Sequence, residues 1–176
     1  MKKLDIDFDE LQKAMEDIAR DAFDYFLDKE TGEIVILSED ILNRAHCILC
    51  EEFDEDMYGY DEVEFDEEVD IPEWMEDEIE LALDILVCEK ERYARIPERD
   101  ARSGFAAMRQ FTEKVRDPEL KTILLEILDG QGAFRRFKDA LESHPKERKL
   151  WYGFNAKATK DELRGWLRSL LIEETS

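Results

Sequence analysis

Between Glu51 and Glu80 the chain carries seventeen carboxylates and no base. A run this one-sided reads first as a solvated face or segment. Phe53, Tyr58, Tyr60 and Phe65 interrupt it, and aromatics at that density imply that part of it docks rather than trails as a free tail. The imbalance extends further. Residues 1–90 hold 32 Asp/Glu against 7 Lys/Arg, a net of −25, and residues 91–176 hold 15 against 18, a net of +3. The total of −22 repels nucleic acid and anionic membranes at long range. No direct nucleic-acid binding is expected, and an anion site has to be local, in the C-terminal half.

The rest of the composition is that of a folded protein. Apolar residues make up 43% of the 176 positions, and a chain near this length buries about 70% of its unfolded surface without disulfide or metal staples. The opening Met1-Lys2-Lys3-Leu4-Asp5-Ile6-Asp7 turns acidic before an apolar stretch begins, unlike a secretory signal. No apolar run approaches the roughly 18 residues of a membrane span. Three cysteines without an export signal read as reduced thiols of a cytoplasmic protein.

Periodicity predicts an α+β fold. A first helix is expected over Asp9–Ala19. Residues 22–37 read as an antiparallel hairpin, two β-prone runs joined by Asp28–Gly32, with Gly32 closing the turn. Ser38 is placed to cap a helix carrying Ile41, Leu42, Ala45, Ile48 and Leu49. Val63, Phe65 and Val69 alternate with acids, as in a short strand. Met75, Ile79, Ala82, Leu83 and Leu86 form one stripe and Trp74, Leu81, Ile85 and Cys88 another, so that helix is expected to be contacted on two sides. Residues 92–96 are the candidate third strand, ended by Pro97.

Beyond this point the chain reads as entirely helical. Phe105, Met108, Phe111 and Val115 mark one helix; a second opens at Pro118 and ends at Gly130. A third carries Phe134, Phe137 and Leu141 and stops near Pro145. The last opens at the capping box Thr159-Lys160-Asp161-Glu162. The expected organisation is a single domain over residues 1–176. An acidic α+β part, 1–97, and a helical part, 98–176, share one core, and the small sheet packs on helices from both halves.

Catalytic signatures are missing. Neither His46 nor His144 belongs to a zinc-protease helix, and nucleophile-elbow, phosphate-loop and dinucleotide-binding glycine patterns do not occur. Cys47 and Cys50 fall inside a predicted helix with apolar residues between them, so they read as buried or half-buried structural thiols rather than zinc ligands. A calcium loop starting at Asp54 and Asp56, with Gly59 at the glycine position, fails at Tyr58 and Phe65, where ligands are needed. No metal and no cofactor are expected. One constellation stands out: Gly130 and Gly132 lead into a helix whose first turns carry Arg135, Arg136 and Lys138. Free N–H groups and these cations could hold an anion. On a helical wheel, however, Arg135 and Lys138 flank the Phe134–Phe137–Leu141 stripe and Arg136 points away, which favours ion pairing with the acidic half.

Leu27-Asp28 to Thr31-Gly32, Tyr93 to Ile96-Pro97, Gly132-Ala133-Phe134-Arg135-Arg136-Phe137-Lys138-Asp139, the region of Trp151 and Trp166-Leu167 together resemble a family of uncharacterised bacterial proteins. The resemblance implies a bacterial cytoplasmic protein without an assigned activity, and it transfers no catalytic residue. The functional expectation is a non-enzymatic module that binds or regulates another protein. The alternative is an enzyme or binding protein for a small phosphorylated or carboxylated ligand at Gly130–Lys138.

Overall fold

A computed structural model describes residues 1–53 and 71–174. The expected strand at Val63–Val69, the calcium-loop positions and most of the acidic run lie outside the described residues. The chain forms two compact units, Met1–Glu98 with Leu171–Ser176, and Arg99–Leu170.

The first unit is the α+β one. Strand β1 (Lys2–Leu4) leads into helix α1 (Phe8–Glu16), whose first N–H groups are capped by Asp7: its carboxylate accepts from the amides of Asp9 and Glu10 at 2.9 and 3.1 Å. The hairpin forms as its β-branched and aromatic residues require, with β2 (Phe23–Asp28) antiparallel to β3 (Ile34–Ser38) and Phe26 opposite Val35. Gly32 takes φ +85°, and a Cβ there would lie 2.4 Å from the Asp5 carbonyl oxygen, so the turn demands glycine twice over. Ser38 then caps α2 (Glu39–Phe53), its Oγ accepting from the Ile41 amide at 3.3 Å. Helix α3 (Glu73–Leu83) continues through a π-helical turn, Asp84–Cys88, into β4 (Tyr93–Arg95), which pairs antiparallel with the other side of β2. The strand order is β3-β2-β4, so among the described residues β3 and β4 are edges. Phe26 and Leu37 pack with Ile41, Ala45 and Ile48 of α2 and Met75, Ile79 and Ala82 of α3.

The second unit is four helices: α4 (Ala101–Lys114), α5 (Pro118–Leu128), α6 (Ala133–Glu142) and α7 (Pro145–Ser169). Asp100 and Asp117 cap α4 and α5, and Pro118 occupies the first turn of α5, where its missing N–H costs nothing. Phe111, Phe137 and Trp151 meet edge-to-face at 5.0–6.3 Å, and Leu120, Leu124, Ile127 and Leu128 of α5 join them.

Five expectations are corrected. The first helix ends at Glu16, and Ile18 is exposed. The second stripe of α3 is only partly covered: Ile85 is buried, but Trp74 is 74% exposed and Cys88 is exposed. Ala133 rather than Phe134 completes the buried stripe of α6 with Phe137 and Leu141. Thr159 does not open a helix. It lies buried in the middle of α7, with its hydroxyl donating to the Asn155 carbonyl at 3.0 Å. Finally, the C-terminal half is not wholly helical. Leu171 takes φ +61° after α7, and Ile172–Glu174 form β5, parallel to β1 with Lys2 opposite Ile172.

Candidate functional site

The run from Gly130 to Lys138 begins where α5 ends. Asp129 caps α5, and the Gly130 amide donates to the Ile127 carbonyl at 3.2 Å. Gly132, at φ +67°, turns the chain into α6. The cations that follow diverge. Arg136 folds back, so that a Cβ on Gly130 would stand 2.9 Å from Arg136 Nη1 and 3.7 Å from the carbonyl oxygens of Glu126 and Ile127. Its guanidinium thus lies beside the negative end of α5, where a cation is stabilising. Arg135, its side chain 90% exposed, pairs with Asp139 across one helical turn at 3.9 Å. An exposed pair of this kind contributes at most about 1 kcal/mol.

Arg135 and Lys138 nevertheless reach a common place. With Arg148 and Tyr152 of α7 they line an open cleft of about 230 Å³, which Asp139 and Glu142 also border. Arg148 is oriented there: Nε donates to the Tyr152 hydroxyl at 3.1 Å, and the guanidinium lies over that ring, 5.5 Å from its centre. This bond, and to a lesser extent Glu142, raises the Arg148 pKa above its ordinary value. Gly130, Gly132 and Arg136 do not line the cleft. Sequence reasoning missed Arg148 and Tyr152 because they lie on the next helix. Their four-residue spacing, which brings a cation over an aromatic on one helix face, was the signal that could have found them.

Other charged groups are tied into the fold of the first unit. Asp28, at the end of β2, is buried and receives two parallel bonds from Arg92, at 3.0 and 2.7 Å, and one from the Glu30 amide at 2.8 Å. The Arg92 guanidinium holds its carboxyl at about 2. Arg20, nearly buried, donates to the carbonyls of Ala14 and Ile96 and to Asp24. Tyr25 donates to Asp17, which lowers the Asp17 pKa and raises that of Tyr25. These networks anchor the ends of strands; they converge on no cavity described in this unit.

Among the described residues no group of three or more Cys, His, Asp or Glu side chains could hold a metal ion. Cys47 is exposed, contrary to the expected buried or half-buried thiol, and the side chain of Cys50 lies outside what is described; Cys88 and His46 are exposed as well. No described helix is long and apolar enough to cross a membrane.

A different surface emerges on α3. Trp74 is the most exposed aromatic among the described residues, and the other exposed positions of this helix, Glu73, Glu76, Asp77, Glu78 and Glu80, are all acidic, with Asp77 and Glu78 three and four residues on from the indole. Leu81, one heptad along, is half-buried. An exposed indole on an acidic helix is a side chain able to anchor a partner.

No curated protein and no solved structure matches the chain. The profile of an uncharacterised protein family, UPF0158, matches residues 68–175, which run from just before α3 through β4, α4–α7 and β5 and so include both the α3 surface and the α6–α7 cleft. With well over half its length matched, the chain belongs to the uncharacterised protein family UPF0158.

Proposed function

We propose that this protein is a non-enzymatic binding module, and that its partner is a cationic protein surface held on the outward side of α3. The observation that supports this reading is Trp74, 74% exposed on a helix whose other exposed positions are Glu73, Glu76, Asp77, Glu78 and Glu80. Tryptophan is the side chain most often found carrying binding energy at interface centres, and a charged border fixes orientation and speeds encounter. The unit that bears α3 holds 36 Asp/Glu against 9 Lys/Arg, so a basic partner is steered toward it and an acidic one away. The test is photo-crosslinking from position 74 of the full chain in extracts of its own cells. A discrete protein adduct, lost when Glu76 and Asp77 are both replaced by Lys, is expected. Adducts that survive this reversal, or none beyond background, refute the assignment.

One observation favours a second reading, an anion-binding protein for a small phosphorylated or carboxylated ligand. Arg135, Lys138 and Arg148 come from two helices to one cleft, with the Tyr152 ring beneath Arg148. A ligand that binds only the native state raises the melting temperature. Under this reading sugar phosphates or dicarboxylates raise it beyond chloride at equal ionic strength, and Arg135→Ala with Arg148→Ala abolishes the shift. Asp139 and Glu142 on the same cleft lower its attraction for anions, which is why the protein-binding reading comes first.

A further inference from the structure

The two edges of the three-stranded sheet are not alike. β4 is three residues long, carries Arg95 and is followed at once by Ile96 and Pro97. Short length, charge and proline are the ordinary devices that keep an edge from pairing. β3 has none of them. It reads Ile34-Val35-Ile36-Leu37-Ser38, five residues without a charge or a proline, and Ile36 is 57% exposed.

The hydrogen-bond phase of the hairpin shows which groups this edge presents. The Asp28 amide donates to the Glu33 carbonyl at 2.9 Å, and the Glu39 amide donates to the Ala22 carbonyl at 2.8 Å. Bonded pairs alternate along an antiparallel ladder, so Phe26–Val35 and Asp24–Leu37 are the bonded pairs between. The N–H and C=O of Ile34 and Ile36 therefore point away from β2. Among the described residues nothing hydrogen-bonds to them. Beside the Ile34–Val35 end of this edge runs an open cleft of about 580 Å³. Its walls carry Asp5, Asp7, Glu10 and Glu33, and no Lys, Arg or His lines it.

We infer that β3 is an acceptor edge for an extended, Lys/Arg-bearing segment of a partner protein, which adds to the sheet as a fourth strand. Two residues of that segment, opposite Ile34 and Ile36, each exchange a pair of backbone hydrogen bonds with the edge. Its basic side chains meet the four carboxylates of the cleft, and an apolar neighbour covers Ile36. The charge pattern selects this occupant over a second copy, because edge-to-edge pairing of two chains brings the same carboxylates together at a net −22 each. The inference is carried by the sheet edge and does not depend on the α3 surface.

The experiment uses the full chain and an eight-residue capped peptide of alternating Lys and Val. Binding is followed by calorimetry and by amide hydrogen exchange. The expected result is saturable binding with new protection at the Ile34 and Ile36 amides. The same peptide N-methylated at alternate backbone nitrogens keeps its charge but cannot form the ladder, and is expected to bind at least tenfold more weakly. Ile36→Pro removes one outward N–H and should weaken the parent peptide similarly; Ile36→Lys does so by charge if the proline variant fails to fold. Equal affinity for the two peptides overturns the inference, and so does protection confined to residues around Trp74. Protection of Ile34 and Ile36 that grows with protein concentration in the absence of peptide assigns the edge to a second copy and overturns it as well.

Discussion

Asp28 is a carboxylate whose surroundings fix its ionisation. Two bonds from Arg92 and one from the Glu30 amide favour the charged form more than burial opposes it, and the pKa falls from 3.8 to about 2. In the unfolded chain the ordinary value returns. The stabilisation is therefore complete above about pH 4 and is lost as pH falls toward 2, the window between the two values. A gap of this size corresponds to about 2 kcal/mol. Asp28→Asn should lower stability at pH 7 by about that amount in urea titrations, and the difference from the parent should shrink between pH 4 and 2. A difference that stays constant across that range would show that Asp28 acts through packing alone. The glycines offer a second comparison. Gly32 and Gly132 both have positive φ, but a Cβ on Gly32 strikes the Asp5 carbonyl oxygen, whereas Gly132 has open space around it. Gly132→Ala is expected to cost about 1 kcal/mol, the left-handed penalty alone. Gly32→Ala should cost at least twice as much, because the Asp5 backbone must also move; equal costs would mean that β1 and its following loop yield freely. Gly32 was legible in the sequence because a β-prone run stands on each side of it. The role of Asp28 was not, because its partner Arg92 is 64 residues away.

At the level of elements, what the sequence disclosed was set by how local the signal is. The hairpin, the cap at Ser38 and the start of α5 at Pro118 depend on neighbours within a few residues, and they formed as read. α7 did not, because the capping-box pattern at Thr159 is satisfied equally by a mid-helix threonine that bonds its own i−4 carbonyl. Trp151 and Phe154 hold the preceding turns of that helix against Phe111, so packing extends it past the apparent start. The phase of α6 was misread because Ala133 is small and Phe134 large, and bulk alone favoured the wrong stripe. Phe134 stays half-exposed, its ring edge lying against Gly104 of α4, where a Cβ would come within 3.2 Å. β1 and β5, three residues each and at opposite ends of the sequence, carry no periodic signal at all. A proline at position 160 separates the two readings of α7. At the first position of a new helix it is tolerated. In the middle of a continuous one it removes a bond and clashes, at a cost of about 3 kcal/mol or more. Lys160→Pro should therefore destabilise the Arg99–Leu170 unit strongly, with loss of amide protection on both sides of position 160. A cost below 1 kcal/mol would return the helix start to Thr159.

Across the whole molecule the dominant physical fact is the division of charge. The unit made by Met1–Glu98 and Leu171–Ser176 holds 36 Asp/Glu against 9 Lys/Arg, a net of −27; Arg99–Leu170 holds 11 against 16, a net of +5. The sequence disclosed this division but not its use. Among the described residues, Arg20, Arg92 and Arg95, a third of that unit's cations, engage Asp24, Asp28 and three glutamates. The remaining carboxylates repel one another more strongly in the compact state than in the expanded one, so self-repulsion opposes folding. Salt screens exposed charges beyond about 10 Å at 0.1 M, yet hardly weakens a bidentate, buried pair such as Asp28–Arg92. Screening should therefore relieve the repulsion and leave the attraction. Raising NaCl from about 10 to 150 mM, across which the screening length falls from about 30 to 8 Å, is expected to raise the melting temperature of the acidic unit by several degrees. The weakly cationic unit should change far less. Hydrogen exchange read separately on amides of α2 and α5 against temperature distinguishes the two. A melting temperature for α2 that falls as salt rises would show that attraction between charges outweighs repulsion in the folded chain. A cationic partner bound to the acidic unit supplies the same relief that salt does. Its stabilising effect on α2 should therefore be largest at 10 mM NaCl and shrink as salt is added, whichever surface of that unit it occupies.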